Sequence, residues 1–262
     1  MSRSNSYIVG FAATICVICS VFVSGAAVSL KERQVTNKIL DRQKNVLSVA
    51  DTEKFTPDTL KAMTSDEVDQ AFSDGIRARI VNLETGEYVD DVSGMDANTY
   101  DQQRALLDAA LSHEAPSNAA KVLRMPNHAL VYQVVESDKV TTLILPVEGK
   151  GLWSTLYGFI ALDNDTTTIK GLTFYQHGET PGLGGEVDNP TWKAKWPGKK
   201  AFDEQWAPKV NVAKSTSRDA TYQVDGLSGA TLTSRGVTYL VQFWLGDEAF
   251  GPYLKNFRET GA

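Results

Sequence analysis

Thr155–Gln176 reads "TLYGFIALDNDTTTIKGLTFYQ". Two runs rich in β-branched and aromatic residues flank the turn signal Asn164-Asp165, the composition of two consecutive strands. Upstream, "ALVYQVVE" from Ala129 and "VTTLILPV" from Val140 have the same character, and Ser137-Asp138 and Glu148-Gly149 read as further turns. Strands spaced this closely favour antiparallel pairing. Alternation also marks "RARIVNLETGEYV" from Arg77, with Glu84-Thr85-Gly86-Glu87 as a hairpin turn.

Helical spacing interrupts the strands over 99–112, "TYDQQRALLDAALS", and a short helix is expected over Asn189–Trp196, followed by a strand in "APKVNVAK". A C-terminal helix is expected from about Thr233, because Val237, Leu240, Val241, Trp244 and Leu245 fall on one helical face. The fold class is therefore α+β, an antiparallel sheet flanked by helices.

Ile8–Leu30 carries no charged residue and exceeds the roughly 20 apolar residues that cross a bilayer. A cleaved signal peptide, with Ser24-Gly25-Ala26 as the small-residue cleavage site, is the competing reading. It fits less well, because a signal peptide's apolar core spans only about 7–15 residues. Past the span, Val35, Ile39, Val46 and Leu47 recur among charges, as in a helix continuing outward. Thr56-Pro57 and the Thr64/Glu67 capping box then start two short helices. The expected organisation is a short N-terminal tail over 1–7, a membrane anchor over 8–30, a helical stalk and linker over 31–76, and the α+β domain over 77–262. Arg3 precedes the span whereas Lys31, Arg33, Lys38, Arg42 and Lys44 follow it. A strict positive-inside count would leave the bulk of the chain in the cytoplasm.

The formal charge of −6 argues against a nucleic-acid partner, which demands a basic footprint. Lys193, Lys195, Lys199 and Lys200 gather around Trp192, Trp196 and Pro197, as expected of a solvated face anchored by aromatics. Both cysteines, Cys16 and Cys19, lie inside the apolar span, where a C-x-x-C pair lacks the aqueous access that redox or zinc chemistry needs. His113, His128 and His177 show no ligand spacing, so no metal site is expected.

Chemistry gathers instead in "DGLSGATLTSRGV", Asp225–Val237, where small residues and hydroxyls precede a helix. With a helix starting at Leu232 or Thr233, unpaired N–H groups and the macrodipole would favour an anion beside Thr231. Gly229 and Ala230 would permit close approach, and Ser228 and Thr233 would add donors. Ordinary N-capping explains the same composition, and the lysine of a phosphate-binding P-loop is missing. A second stretch, "HGETPGLGGEV" over His177–Val187, lacks the third glycine and the βαβ setting of a dinucleotide fingerprint. Thr180-Pro181-Gly182 serves there as a turn.

Asp225-Gly226-Leu227-Ser228-Gly229-Ala230-Thr231 resembles the D-x-x-[S/T]-G-A-T motif of the FMN-binding domain family that carries FMN covalently. In that family the flavin phosphate is esterified to the motif's threonine by a separate flavin transferase using FAD. The resemblance therefore places the flavin on Thr231 and transferase recognition on Asp225, Ser228, Gly229, Ala230 and Thr231. The His177 loop is similar to the H-x-E-T-P-G-L-G loop lying against the isoalloxazine, which makes Glu179, Thr180, Gly182, Leu183 and Gly184 cofactor contacts by resemblance. "GKGLWSTLYGFIAL" over Gly149–Leu162 completes it, adding Leu152, Trp153 and Ser154. His177 is expected to make a structural hydrogen bond rather than to transfer protons.

The whole chain resembles the family of C subunits of bacterial Na+-translocating NADH:quinone oxidoreductases, single-span proteins of the inner membrane with the flavin domain on the periplasmic side. The resemblance implies one subunit of an ion-translocating NADH:ubiquinone reductase, associated with other membrane subunits. The chain itself would act only as an electron relay, with no catalytic residue beyond the flavin. Alternatives are the equivalent flavin subunit of a ferredoxin:NAD+ reductase (Rnf-type) complex, a membrane-tethered FMN-domain regulator, and a flavin-free tether.

Overall fold

The structure, a computed structural model, describes residues 4–214 and 219–261. The chain divides into a unit over Met1–Arg42 and a second over Gln43–Ala262. Helix α1 (Asn5–Ala50) supplies residues 5–42 of the first unit and holds an exposed stretch long and apolar enough to cross a membrane.

Next come α2 (Pro57–Ala62) and α3 (Ser65–Gly75). Thr56 caps α2 by accepting from Thr59 N, and Thr64 with Glu67 forms the expected capping box of α3. Strands β1 (Ile76–Asn82) and β2 (Tyr88–Val89) follow, then α4 (Gln102–Ala105), β3 (Ser112–Glu114) and β4 (Arg124–Pro126). The main strands are β5 (His128–Glu136), β6 (Lys139–Lys150), β7 (Thr155–Asp163) and β8 (Ile169–Gln176). A 3-10 turn over Gly184–Asp188 leads to α5 (Pro190–Lys193), β9 (Asn211–Ala213), β10 (Gln223–Asp225), α6 (Thr231–Leu245) and α7 (Gly251–Thr260).

The six-stranded sheet runs β2-β1-β5-β6-β7-β8 and is antiparallel throughout. The turn between β5 and β6 places Ser137 and Asp138 at φ 49° and 62°, the left-handed pair that a tight hairpin needs. Both faces are covered, so the strands read as nearly continuous apolar runs. Leu143, Leu145, Val147, Leu156, Ile160 and Leu162 pack with Val237, Leu240, Val241 and Trp244 of α6. Their neighbours Ile144, Phe159 and Ala161 turn to the opposite core, closed by Val46, Val49 and Ala50 from the end of α1.

Two expectations need correction. Glu148-Gly149 is not a turn, because β6 runs on to Lys150. The glycine there serves close approach: a Cβ on Gly149 would lie 2.5 Å from the Leu240 Cβ. Over 99–112 only Gln102–Ala105 is helical; Ser112 Oγ donates to the Leu106 and Asp108 carbonyls, a local alternative to the helical ladder. The strand expected in "APKVNVAK" is present as β9 and pairs parallel with β10, outside the main sheet. The compact unit starts at Gln43, and Val46, Val49, Ala50, Phe55, Leu60 and Val68 bury their apolar side chains ahead of the sheet. Smaller shifts are that α6 opens at Thr231 and that α5 covers only Pro190–Lys193.

Candidate functional site

Three segments meet at the N-terminal end of α6: the β6–β7 connection over 151–154, the loop following β8, and the stretch from Asp225 into the helix. Thr231 is the first helical residue, and Ala230, at φ −124° and ψ 53°, precedes it without any side-chain cap. No acidic residue occupies the first turn. The capping explanation of these hydroxyls is therefore not what the structure contains. Thr231, Ser228 and Gly229 are exposed and Ala230 is buried. Gly229 has φ +72°, a conformation that costs glycine little and other residues more.

The loop before the helix is fastened from behind. Ser234 Oγ accepts from Leu227 N at 2.9 Å, and Ala230 N donates to Leu227 O. At the motif's first residue, the Trp192 indole donates to Asp225 O at 2.8 Å, and Lys195 Nζ lies 3.0 Å from Asp225 Oδ2. The basic cluster is thus partly an ion-paired scaffold: Lys193 lies 3.6 Å from Asp188 Oδ1, and Lys200 3.1 Å from Asp165 Oδ2. Trp192 and Trp196 are buried in the core.

Glu179 is the hub. It is only 5% exposed, and a carboxylate can stay buried only when its oxygens are satisfied. Oε1 accepts from Trp153 N at 2.9 Å and Ser154 N at 3.1 Å. Oε2 accepts from Leu152 N at 3.3 Å and from the Thr233 hydroxyl at 2.7 Å. Burial pushes the carboxyl up, but the Thr233 hydroxyl and the three backbone N–H groups outweigh it and hold the carboxyl below its ordinary value. Glycines make room: a Cβ on Gly151 would come 2.6 Å from Oε1, and one on Gly184 2.5 Å from Oε2.

His177 extends this scaffold. Its Nδ1 accepts from Glu179 N at 3.2 Å, which leaves Nε2 as the donor to Asp188 Oδ2 at 2.8 Å. Ser154 Oγ accepts from Gly178 N at 2.6 Å. The side chains of Ser154 and Thr233 thus join protein to protein. Thr180 accepts at its carbonyl from Leu183 N and Gly185 N, and Pro181 and Gly182 beside it are exposed.

The same segments carry exposed apolar side chains. Leu152, Trp153, Leu183 and Leu232 are large hydrophobic residues left exposed, and Leu183 reaches to within contact of Gly229. An exposed threonine at an uncapped helix start, beside apolar side chains, suits a group with an anionic phosphate and a flat apolar ring. Residues 151–246 match the family model described as FMN-binding domain.

The sequence is also similar along its length to known proteins. A relative from Pseudomonas aeruginosa, named as the C subunit of a Na(+)-translocating NADH-quinone reductase, is 46% identical over 257 residues, covering 96% of this chain and 95% of its own. The chain belongs to this C-subunit family. A relative of the same name from Vibrio parahaemolyticus is 43% identical and covers 94% of this chain and 92% of its own length. The crystal structure of NqrC from Shewanella oneidensis superposes with a TM-score of 0.75 at 30% identity, covering 86% of this chain and 98% of that one. That of the Parabacteroides distasonis protein of the same family gives 0.64 at 28%, covering 86% and 96%.

Residues that pattern reading passed over are Gly151, Gly236 and Ser234, and Lys195 was read only as part of a solvated basic face. Gly236 lets α6 descend onto β6, since a Cβ there would collide with the Lys150 carbonyl. An interior helix glycine beside the motif was the available signal.

Proposed function

We propose that the chain is the electron-carrying subunit of a Na+-pumping NADH:quinone oxidoreductase, with FMN attached through a phosphoester to Thr231. The observation that carries this reading is the exposed Thr231 on the uncapped first turn of α6, inside a segment that matches the FMN-binding domain model.

A phosphodiester retains one negative charge, and the first-turn N–H groups of α6 offset it. Gly229 and Ala230 leave the hydroxyl approachable, while Ser228 offers a donor. Leu152, Trp153, Leu183 and Leu232 provide apolar surface for the ring, and Thr180 and the exposed Gly182 border it. FMN supplies the exchange of electrons, and this chain supplies place and electrostatic environment. In attachment, the bond from Thr231 Oγ to phosphorus forms as the pyrophosphate bond of FAD breaks. AMP leaves, and the hydroxyl proton passes to the flavin transferase that catalyses the step.

The apolar stretch of α1 anchors the chain in the bacterial inner membrane through 8–30, with the flavin domain on the periplasmic side and other subunits around it. The charge bias after the span opposes this orientation, but long domains translocate largely regardless of nearby charge.

A denaturing gel under ultraviolet light tests attachment. The chain made together with the transferase fluoresces as a flavin after denaturation, and Thr231→Ala does not. Equal fluorescence from the variant contradicts attachment at Thr231.

A further inference from the structure

Glu179 is expected from resemblance to touch the flavin, and Thr233 from its place at the helix start to donate to an anion there, yet their polar atoms are engaged elsewhere. Thr233 is fully buried and gives its hydroxyl hydrogen to Glu179 Oε2 at 2.7 Å. Both carboxylate oxygens of Glu179 receive two donors each. The enclosure is tight on two sides: a Cβ on Gly184 would lie 2.5 Å from Glu179 Oε2 and 2.6 Å from Thr233 Oγ1, and one on Gly151 2.6 Å from Oε1. No larger side chain fits at either position.

This pair joins two segments that are far apart in sequence. Leu152–Ser154 carries the exposed Leu152 and Trp153, and the first turn of α6 carries Thr231 two residues before Thr233. Each of the three amides points at the same carboxylate, and the Thr233 hydroxyl links that carboxylate to the helix.

We propose that Glu179 and Thr233 form a latch that fixes the Trp153 loop against the first turn of α6, making them positioning residues for the flavin rather than contacts to it. The proposal rests on the reading that Thr231 carries FMN. Its effect is twofold. The latch holds the Thr231 hydroxyl where the transferase must find it, and misplacement by about 1 Å is enough to cost a reaction up to ~100-fold in rate. The latch also keeps a fixed negative charge beside the helix start, which opposes adding electrons to a neighbouring ring and so lowers its reduction potential.

The experiment uses the full-length chain made with the flavin transferase. Loading rate is followed by intact mass, the bound flavin is titrated for potential, and thermal melting checks the fold of each variant. Thr233→Val removes the link without changing charge, Thr233→Ser keeps the hydroxyl, and Glu179→Gln removes the charge while keeping the shape. The latch predicts loading at least about tenfold slower for Thr233→Val, restored by Thr233→Ser. For Glu179→Gln it predicts a more positive potential in whatever fraction is loaded. A merely structural role moves the melt but not the potential.

A Thr233→Val variant that melts and loads like wild type overturns the latch. So does an unchanged potential in Glu179→Gln. If Glu179→Gln fails to fold, the Thr233 pair still decides. If wild type itself carries no flavin on Thr231, the attachment reading falls and takes the latch with it, an outcome distinguishable from failure of the latch alone.

Discussion

Lys195 Nζ lies 3.0 Å from Asp225 Oδ2, tying the first residue of the Asp225–Thr231 motif to the segment just after α5. The two side chains are 42% and 45% exposed, and ion pairs in that setting contribute about 0–1 kcal/mol. Lys195→Ala is therefore expected to shift stability by less than ~1 kcal/mol and to leave loading nearly intact. Asp225→Asn keeps the size of the side chain but removes the charge that we assign to transferase recognition. Its loading should fall far more than that of Lys195→Ala. Equal losses in the two variants would transfer the role of Asp225 from recognition to the ion pair.

Gly236 offers a test of sign. Alanine in place of an exposed helix glycine ordinarily stabilises by about 0.5–1 kcal/mol. Here the added Cβ would meet the Lys150 carbonyl and lie 3.2 Å from Gly151 Cα, forcing α6 away from the end of β6. Overpacking of this kind costs about 1–3 kcal/mol, so Gly236→Ala should lower the melting temperature and slow loading. A variant more stable than wild type would contradict the close approach of α6 to β6.

Glu148, beside Tyr157 in the β6–β7 register, has a carboxyl that burial pushes up to about 7 from its ordinary 4.5. The folded chain then binds this proton more tightly than the unfolded chain, so its contribution to stability falls as pH rises from 4.5 to about 7 and is level above that. Each pH unit in that window is worth at most about 1.4 kcal/mol. Chemical denaturation of Glu148→Gln and wild type across this range should show the variant gaining relative stability with pH, by up to ~3 kcal/mol. A gap that does not change with pH would show that the carboxyl titrates normally.

The compact unit begins at Gln43. A chain starting there should melt cooperatively, because it keeps the Val46, Val49 and Ala50 cover over one sheet face. A chain starting at Arg77 also loses Phe55, Leu60 and Val68, all buried, and should fail to give a cooperative melt. Equal melting of the two chains would place the start of the folded domain at residue 77 instead.

What the sequence made legible was local. The strands from Ala129 to Gln176, the Glu84–Glu87 hairpin turn and the caps at Thr56 and Thr64 depend on neighbouring residues, and their composition carries them. Gly149 misled because glycine marks turns and close approaches alike, and only the position of Leu240 on a later helix separates the two. "TYDQQRALLDAALS" has helical spacing, but its hydroxyl and carboxylate side chains bind the local backbone and stop the helix after Ala105. The parallel pairing of β9 with β10 and the engagement of Glu179 with Thr233 join residues distant in sequence, which no window of neighbouring residues contains. The motif around Thr231 was readable as a motif, whereas the latch behind it needed the fold.

The most direct measurement is a peptide mass map of the full-length chain purified from cells containing the flavin transferase. The account predicts that the fragment holding Thr231 gains the mass of one FMN less one water, with the modification on that threonine and absent in Thr231→Ala. An unmodified Thr231 fragment from a wild-type chain made beside an active transferase would contradict it.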